Sequence, residues 1–122
     1  MHALSEYQQQ AVFVQWMRGK YPSLTLFAIP NGEIRDIGTA VKLKKSGVKA
    51  GVADLYLMDY STFIEFKRDK KCKQTPSQKQ FEEICKSTGH KYILVYGLED
   101  AFHKIERLIN GEINIQTEES SS

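Results

Sequence analysis

The chain has 122 residues and a mass of 14.0 kDa, with 41% apolar, 11% aromatic and 26% charged residues and a formal net charge of +2. A chain of this length forms one domain that buries about two-thirds of its surface, so its core needs no metal or disulfide staple. The composition excludes a disordered chain and a coiled coil, and no apolar run reaches the ~18–20 residues of a membrane span.

Residues 4–19 read as a helix: Leu4, Tyr7, Ala11, Val14 and Met17 recur at intervals of three or four, Trp16 widens that apolar side, and Gly19 and Pro22 close it. LTLFAI (24–29) has almost no polar relief and is expected as a central strand, halted by the turn Pro30-Asn31-Gly32. Ile37, Ala40 and Val41 suggest a short helix over 36–46, with Gly47 just past its end. ADLYLMD (53–59) and TFIEFKR (62–68) are joined closely enough to form a hairpin. Thr75 as N-cap, Pro76 at N1 and Gln78 closing a capping box predict a helix from there to Ser87. YILVYG (91–97) is a further buried strand, and residues 99–110 form an amphipathic helix that ends at Gly111. INI (113–115) is a candidate edge strand. TEESSS reads as a disordered tail over 117–122, beyond a single domain spanning 1–116. The order α-β-α-β-β-α-β-α predicts an α/β fold with a central mixed sheet flanked by helices.

The small net charge hides a pattern. Segment 42–49 carries Lys42, Lys44, Lys45 and Lys49 and no acid, while segment 65–79 carries six bases against Glu65 and Asp69, a net of +4. Charge gathered in this way suits a polyanion; a solvated lysine-rich surface would carry the same pattern. Cys72 and Cys85 lie apart with no CxxC near either, and His2, His90 and His103 have no paired ligand spacing. Neither a disulfide scaffold nor a zinc site is therefore expected. Free thiols, and a start lacking the basic and apolar regions of a signal peptide, point to the cytoplasm.

The chemistry concentrates in the hairpin. In Ile64-Glu65-Phe66-Lys67 the two charged residues share one face of a strand and the two apolar residues the other. A turn centred on Tyr60-Ser61 sets Asp54 opposite Lys67, and any register whose paired numbers sum to an odd value brings Asp54 to the face of Glu65 and Lys67. Two carboxylates, with the Phe66 backbone carbonyl as a third oxygen, could hold Mg²⁺, and Lys67 could hold a water or neutralise charge on a phosphate. A surface ion pair between Glu65 and Lys67, with Asp54 at an exposed strand end, accounts for the spacing equally.

At these residues the sequence resembles the PD-(D/E)XK nucleases, and in its wider context their VRR-NUC branch. The resemblance runs through Glu6 and Gln10, Pro30-Asn31-Gly32 with Arg35, the stretch from Gly47 through Gly51 to Asp54-Leu55, then Glu65-Phe66-Lys67 and Gln78, covering roughly residues 4–110. Ala53 departs from the family's usual proline, and Glu33 from a common second glycine. The resemblance implies a restriction-endonuclease-like core and Mg²⁺- or Mn²⁺-dependent hydrolysis of DNA. Asp54 and Glu65 would be ligands and Lys67 the base or water-orienting group. Glu6 would approach the metal and Gln78 would lie beside it. Small members of the branch resemble Holliday-junction resolvases, which implies branched DNA as substrate and, since one chain carries one active site, a homodimer. Asn31, Arg35, Lys42, Lys44, Lys45, Lys49, Arg68, Lys70, Lys71 and Lys73 are the residues expected to meet DNA. A nuclease of flaps or single strands, or a non-catalytic nucleic-acid-binding module on the same fold, are the alternatives.

Overall fold

The computed structural model describes residues 4–30, 42 and 45–111. The first helix, α1, spans Glu6–Lys20. Ser5 caps it: the Ser5 hydroxyl accepts from the Gln8 amide at 3.1 Å, and Gln8 Oε1 accepts from the Ser5 amide at 2.9 Å. The buried residues of α1 are Gln9, Phe13 and Met17; of the expected stripe Met17 is buried and Val14 packs against the core, while its N-terminal half is not buried. Leu4 and Tyr7 point outward, Tyr7 with 79% of its surface exposed. Phe13 and Met17, with Trp16 on their flank, bring more apolar volume to the core than the expected stripe would, and Gln9 finds backbone partners there.

Four strands follow: β1 (Leu26–Ala28), β2 (Leu55–Leu57), β3 (Thr62–Lys67) and β4 (Lys91–Tyr96). They form one sheet in the order β1-β2-β3-β4, antiparallel except for the parallel pair β3–β4. The sheet is therefore mixed, with α2 (Pro76–Ser87) as the crossover between the parallel strands and α3 (Leu98–Ile109) after them. Among the described residues β1 is an edge strand, which corrects the expectation of a central one. Only Leu26 of this strand is buried, while Phe27 and Ala28 are exposed, so its apolar run reflects neither a central place nor cover on both faces.

One face of the sheet presents Leu55, Ile64, Phe66 and Val95 to Phe13 and Met17 of α1 and to Ile105 of α3. The opposite face presents Tyr92 and Leu94 to Phe81 and Cys85 of α2. Phe66 is fully buried, worth roughly 1.5–3 kcal/mol for a side chain of its kind. Its anchoring, with that of Ile64, fixes Glu65 and Lys67 on the α2 face. Helix α3 also covers the outer edge of β4: Lys104 Nζ donates to the Leu94 carbonyl at 2.8 Å, and Asp100 accepts from the Tyr96 amide at 2.9 Å.

Of the helix expected over 36–46, Lys42 and Lys45 are helical, and the Ser46 amide donates to the Lys42 carbonyl at 3.0 Å. Most of that helix, the INI strand and the tail lie outside the described residues. Both cysteines are free. No helix among the described residues is long and apolar enough to cross a membrane.

Candidate active site

The hairpin closes with Leu57 opposite Thr62 and Leu55 opposite Ile64. Met58–Tyr60 forms a 3-10 turn, and Ser61 adopts a left-handed conformation (φ 49°), so the bend takes four residues. The next step of this register sets Asp54 opposite Glu65, two residues from the expected pairing with Lys67. A shift of two preserves the face, and Asp54, Glu65 and Lys67 lie together on the α2 side.

Glu65 and Lys67 are 2% and 7% exposed, which removes the surface ion pair as a reading. Lys67 Nζ donates to Gln78 Oε1 at 2.8 Å, and Gln78 Nε2 lies 3.4 Å from Glu65 Oε2. The other carboxylate oxygen of Glu65, Oε1, is buried without a hydrogen-bond partner. An oxygen left in that state costs roughly 1–3 kcal/mol, more when charged. Burial first, and then the charge and hydrogen bond of Asp54, push the Glu65 carboxyl up to about 9, while Lys67 pulls it down. Burial and then Asp54 also raise Glu6, opposed by Lys67 and by a hydrogen bond from the Arg68 amide. Crowded carboxyl groups and one lysine thus face one another in this pocket.

The edge of β3 that faces Asp54 explains the arrangement. In a strand the N–H and C=O of one residue point to the same side, and those of the next residue to the other. The Lys67 carbonyl accepts from the Gly97 amide at 2.8 Å on the β4 side. Phe66 therefore turns both its polar groups the opposite way. Its amide donates to Asp54 Oδ2 at 2.7 Å. One residue beyond β3, the Arg68 amide faces Glu6 and lowers its pKa. The Phe66 carbonyl thus lies along the same edge, between the Phe66 and Arg68 amides. Asp54 and Glu65 bring their carboxylates close to each other, and such oxygen donors suit a hard cation. Among the described residues no group of three acidic, histidine or cysteine side chains forms a metal cage. Glu6 instead faces the main chain beside the site.

Helix α2 supplies the remaining wall. Thr75 Oγ1 accepts from the Gln78 amide at 3.2 Å, and Gln78 Oε1 accepts from the Thr75 amide at 2.9 Å, completing the capping box. The same Gln78 oxygen receives Lys67. The loop entering Asp54 rests on this turn: Gly51 has φ +84°, and a Cβ there would lie 2.3 Å from the Ser77 carbonyl oxygen.

Lys42, Lys45, Lys49, Arg68, Lys70, Lys71 and Lys73 are exposed. Asn31, Arg35 and Lys44 lie outside the described residues. Gln10 is half-buried, while the buried glutamine is Gln9, whose Nε2 donates to the Arg68 and Leu4 carbonyls at 3.2 Å each. The sequence carries a signal for it, since Gln9 continues the four-residue spacing of Phe13 and Met17 toward the start of α1.

No family model and no curated protein matches the sequence. A solved structure described as a VRR_NUC domain protein superposes with a TM-score of 0.73 at 25% identity, covering 90% of this chain and 92% of that one. The chain has the restriction-endonuclease-like α/β fold and is similar over nine-tenths of its length to a VRR-NUC domain protein.

Proposed function

We propose that the protein is a divalent-metal-dependent DNA endonuclease acting on branched DNA, four-way junctions in particular. The fold and the similarity to a VRR-NUC domain protein support a nuclease. The observation that carries the metal requirement is Glu65 Oε1, buried and unpartnered in a carboxyl group that lies beside Asp54. These oxygens fit Mg²⁺ or Mn²⁺, which commonly bind one or two carboxylates and complete their shell with water and phosphate oxygens. A bound ion would polarise a phosphoryl oxygen and lower the pKa of a coordinated water.

The chain's own groups then have distinct tasks. Asp54 and Glu65 hold the cation. Lys67, kept in place by Gln78, donates to the attacking water or to the phosphate oxygen on which charge develops. Glu6, facing the Arg68 amide, adds negative potential at the same edge. The exposed bases at 42, 45, 49 and 68–73, with Lys44 in the same run, neutralise neighbouring phosphates. A junction has near two-fold symmetry and needs two opposed cuts, so a C₂ homodimer supplies the second copy of Asp54, Glu65 and Lys67.

The test is cleavage in Mg²⁺ and in Mn²⁺ of linear duplex, flap and four-way-junction DNA of the same sequence, with light scattering of the junction complex. Paired symmetric cuts on the junction by a dimer are expected. A single cut on one arm by a monomer would favour flap substrates, and binding without cleavage under any metal would favour a non-catalytic module.

A further inference from the structure

We propose that Gln9 is a positioning residue of the active site, one half of a clamp through which α1 grips the main chain immediately after Lys67. The proposal rests on the nuclease reading and assigns that site a new part. Both polar groups of Arg68 face side chains of α1. Its carbonyl accepts from Gln9 Nε2 at 3.2 Å, and its amide lies near the Glu6 carboxylate, whose pKa it pulls down. Glu6 and Gln9 are three apart in sequence, so they lie on one helix face, one turn from each other.

Two features fit the clamp. Gln9 Nε2 also donates to the Leu4 carbonyl at 3.2 Å, which ties the chain ahead of Glu6 to the same amide. On the far side Gly97, whose amide holds the Lys67 carbonyl, lets the main chain come close: a Cβ there would lie 3.3 Å from the Arg68 carbonyl oxygen and 3.6 Å from Gln9 Oε1. Lys67 and Arg68 are thus fixed by three elements, α1, β3 and the β4–α3 turn. Gln9 touches none of the reacting groups. It sets where α1, and with it the Glu6 carboxylate, stands relative to Asp54 and Lys67.

The experiment uses the full chain, with Gln9→Leu and, as a milder substitution, Gln9→Met. Amide exchange by NMR reads the clamp without metal or DNA. Exchange of the Arg68 amide should accelerate at least tenfold in both variants, while the Phe66 amide, held by Asp54, keeps its protection. Mn²⁺ titration by calorimetry reads the consequence. Affinity should fall about tenfold in Gln9→Leu, the lower end for removal of an outer partner, and less than twofold when the same change is made in a Glu6→Gln background. Arg68 exchange at the wild-type rate in both variants overturns the clamp. An equal drop in Mn²⁺ affinity with and without Glu6 overturns the positioning role. A wild-type protein that neither binds Mn²⁺ nor cleaves DNA overturns the nuclease reading and the purpose of the clamp together, and the Arg68 exchange then still reports whether the clamp exists.

Discussion

Gln78 Oε1 receives both the Lys67 ammonium, at 2.8 Å, and the Thr75 amide, at 2.9 Å. One side-chain oxygen therefore closes the first turn of α2 and positions a buried lysine of β3. The two tasks separate by mutation. Thr75→Ala removes the cap hydroxyl and should cost ~0.5–2 kcal/mol of stability with little loss of cleavage. Gln78→Ala should cost a similar amount but lower cleavage at least tenfold, because Lys67 loses its partner. Denaturant melts and single-turnover cleavage of both variants check this; equal cleavage by the two would contradict it.

Glu65 gives the metal-free protein a distinctive pH dependence. Its folded pKa is raised to about 9 from an ordinary 4.5, so between those values the folded state binds a proton that the unfolded state has released. Stability from this group is full below pH 4.5 and is lost as pH rises through the folded value. Urea melts in EDTA should therefore show wild type weakening from about pH 5 to about pH 9, with Glu65→Gln more stable than wild type at the alkaline end and flatter across the range. Parallel curves would mean that Glu65 is not held in its protonated form.

Gly51 carries the approach of the Asp54 loop to α2. Gly51→Ala meets the Ser77 carbonyl oxygen at 2.3 Å and the Gln78 amide nitrogen at 2.9 Å, at a backbone conformation that disfavours a side chain. A cost of about 2–4 kcal/mol is expected, the sum of backbone strain and overpacking. Thermal unfolding measures it, and a variant as stable as wild type would show that the loop does not rest on the helix.

Charge reversal within Lys42, Lys44, Lys45 and Lys49 should weaken binding to every DNA shape. For each phosphate no longer neutralised, the slope of log affinity against log salt should become shallower by ~0.9 on duplex. An unchanged slope would mean that these lysines only solvate the surface.

The site is legible in the sequence because period-two alternation fixes faces. Ile64 and Phe66 have to be buried, so Glu65 and Lys67 have to share the other side, and an odd register sum brings Asp54 to them. The pairing itself is not legible. The 3-10 turn at Met58–Tyr60 lengthens the bend, and a slip of two residues leaves every face unchanged. The buried face of α1 differs from the apolar stripe because a buried glutamine interrupts its pattern. Three consecutive glutamines differ by position alone: Gln8 caps the helix, Gln9 holds Arg68, and Gln10 is half-buried. Side-chain partners on the backbone of another element leave no trace in periodicity, which is why Gln9 emerges only from the fold. The capping box of Gln78, by contrast, is local, and its sequence marks suffice.

The central claim is that Asp54 and Glu65 together hold the catalytic cation. Cleavage of a four-way junction in Mg²⁺ by Asp54→Asn and by Glu65→Gln, measured beside junction binding in Ca²⁺, tests it most directly. Each variant should lose cleavage by at least about a thousandfold, on the order of 4 kcal/mol of transition-state stabilisation, while binding the junction as wild type does. Near wild-type cleavage by either variant would contradict the account.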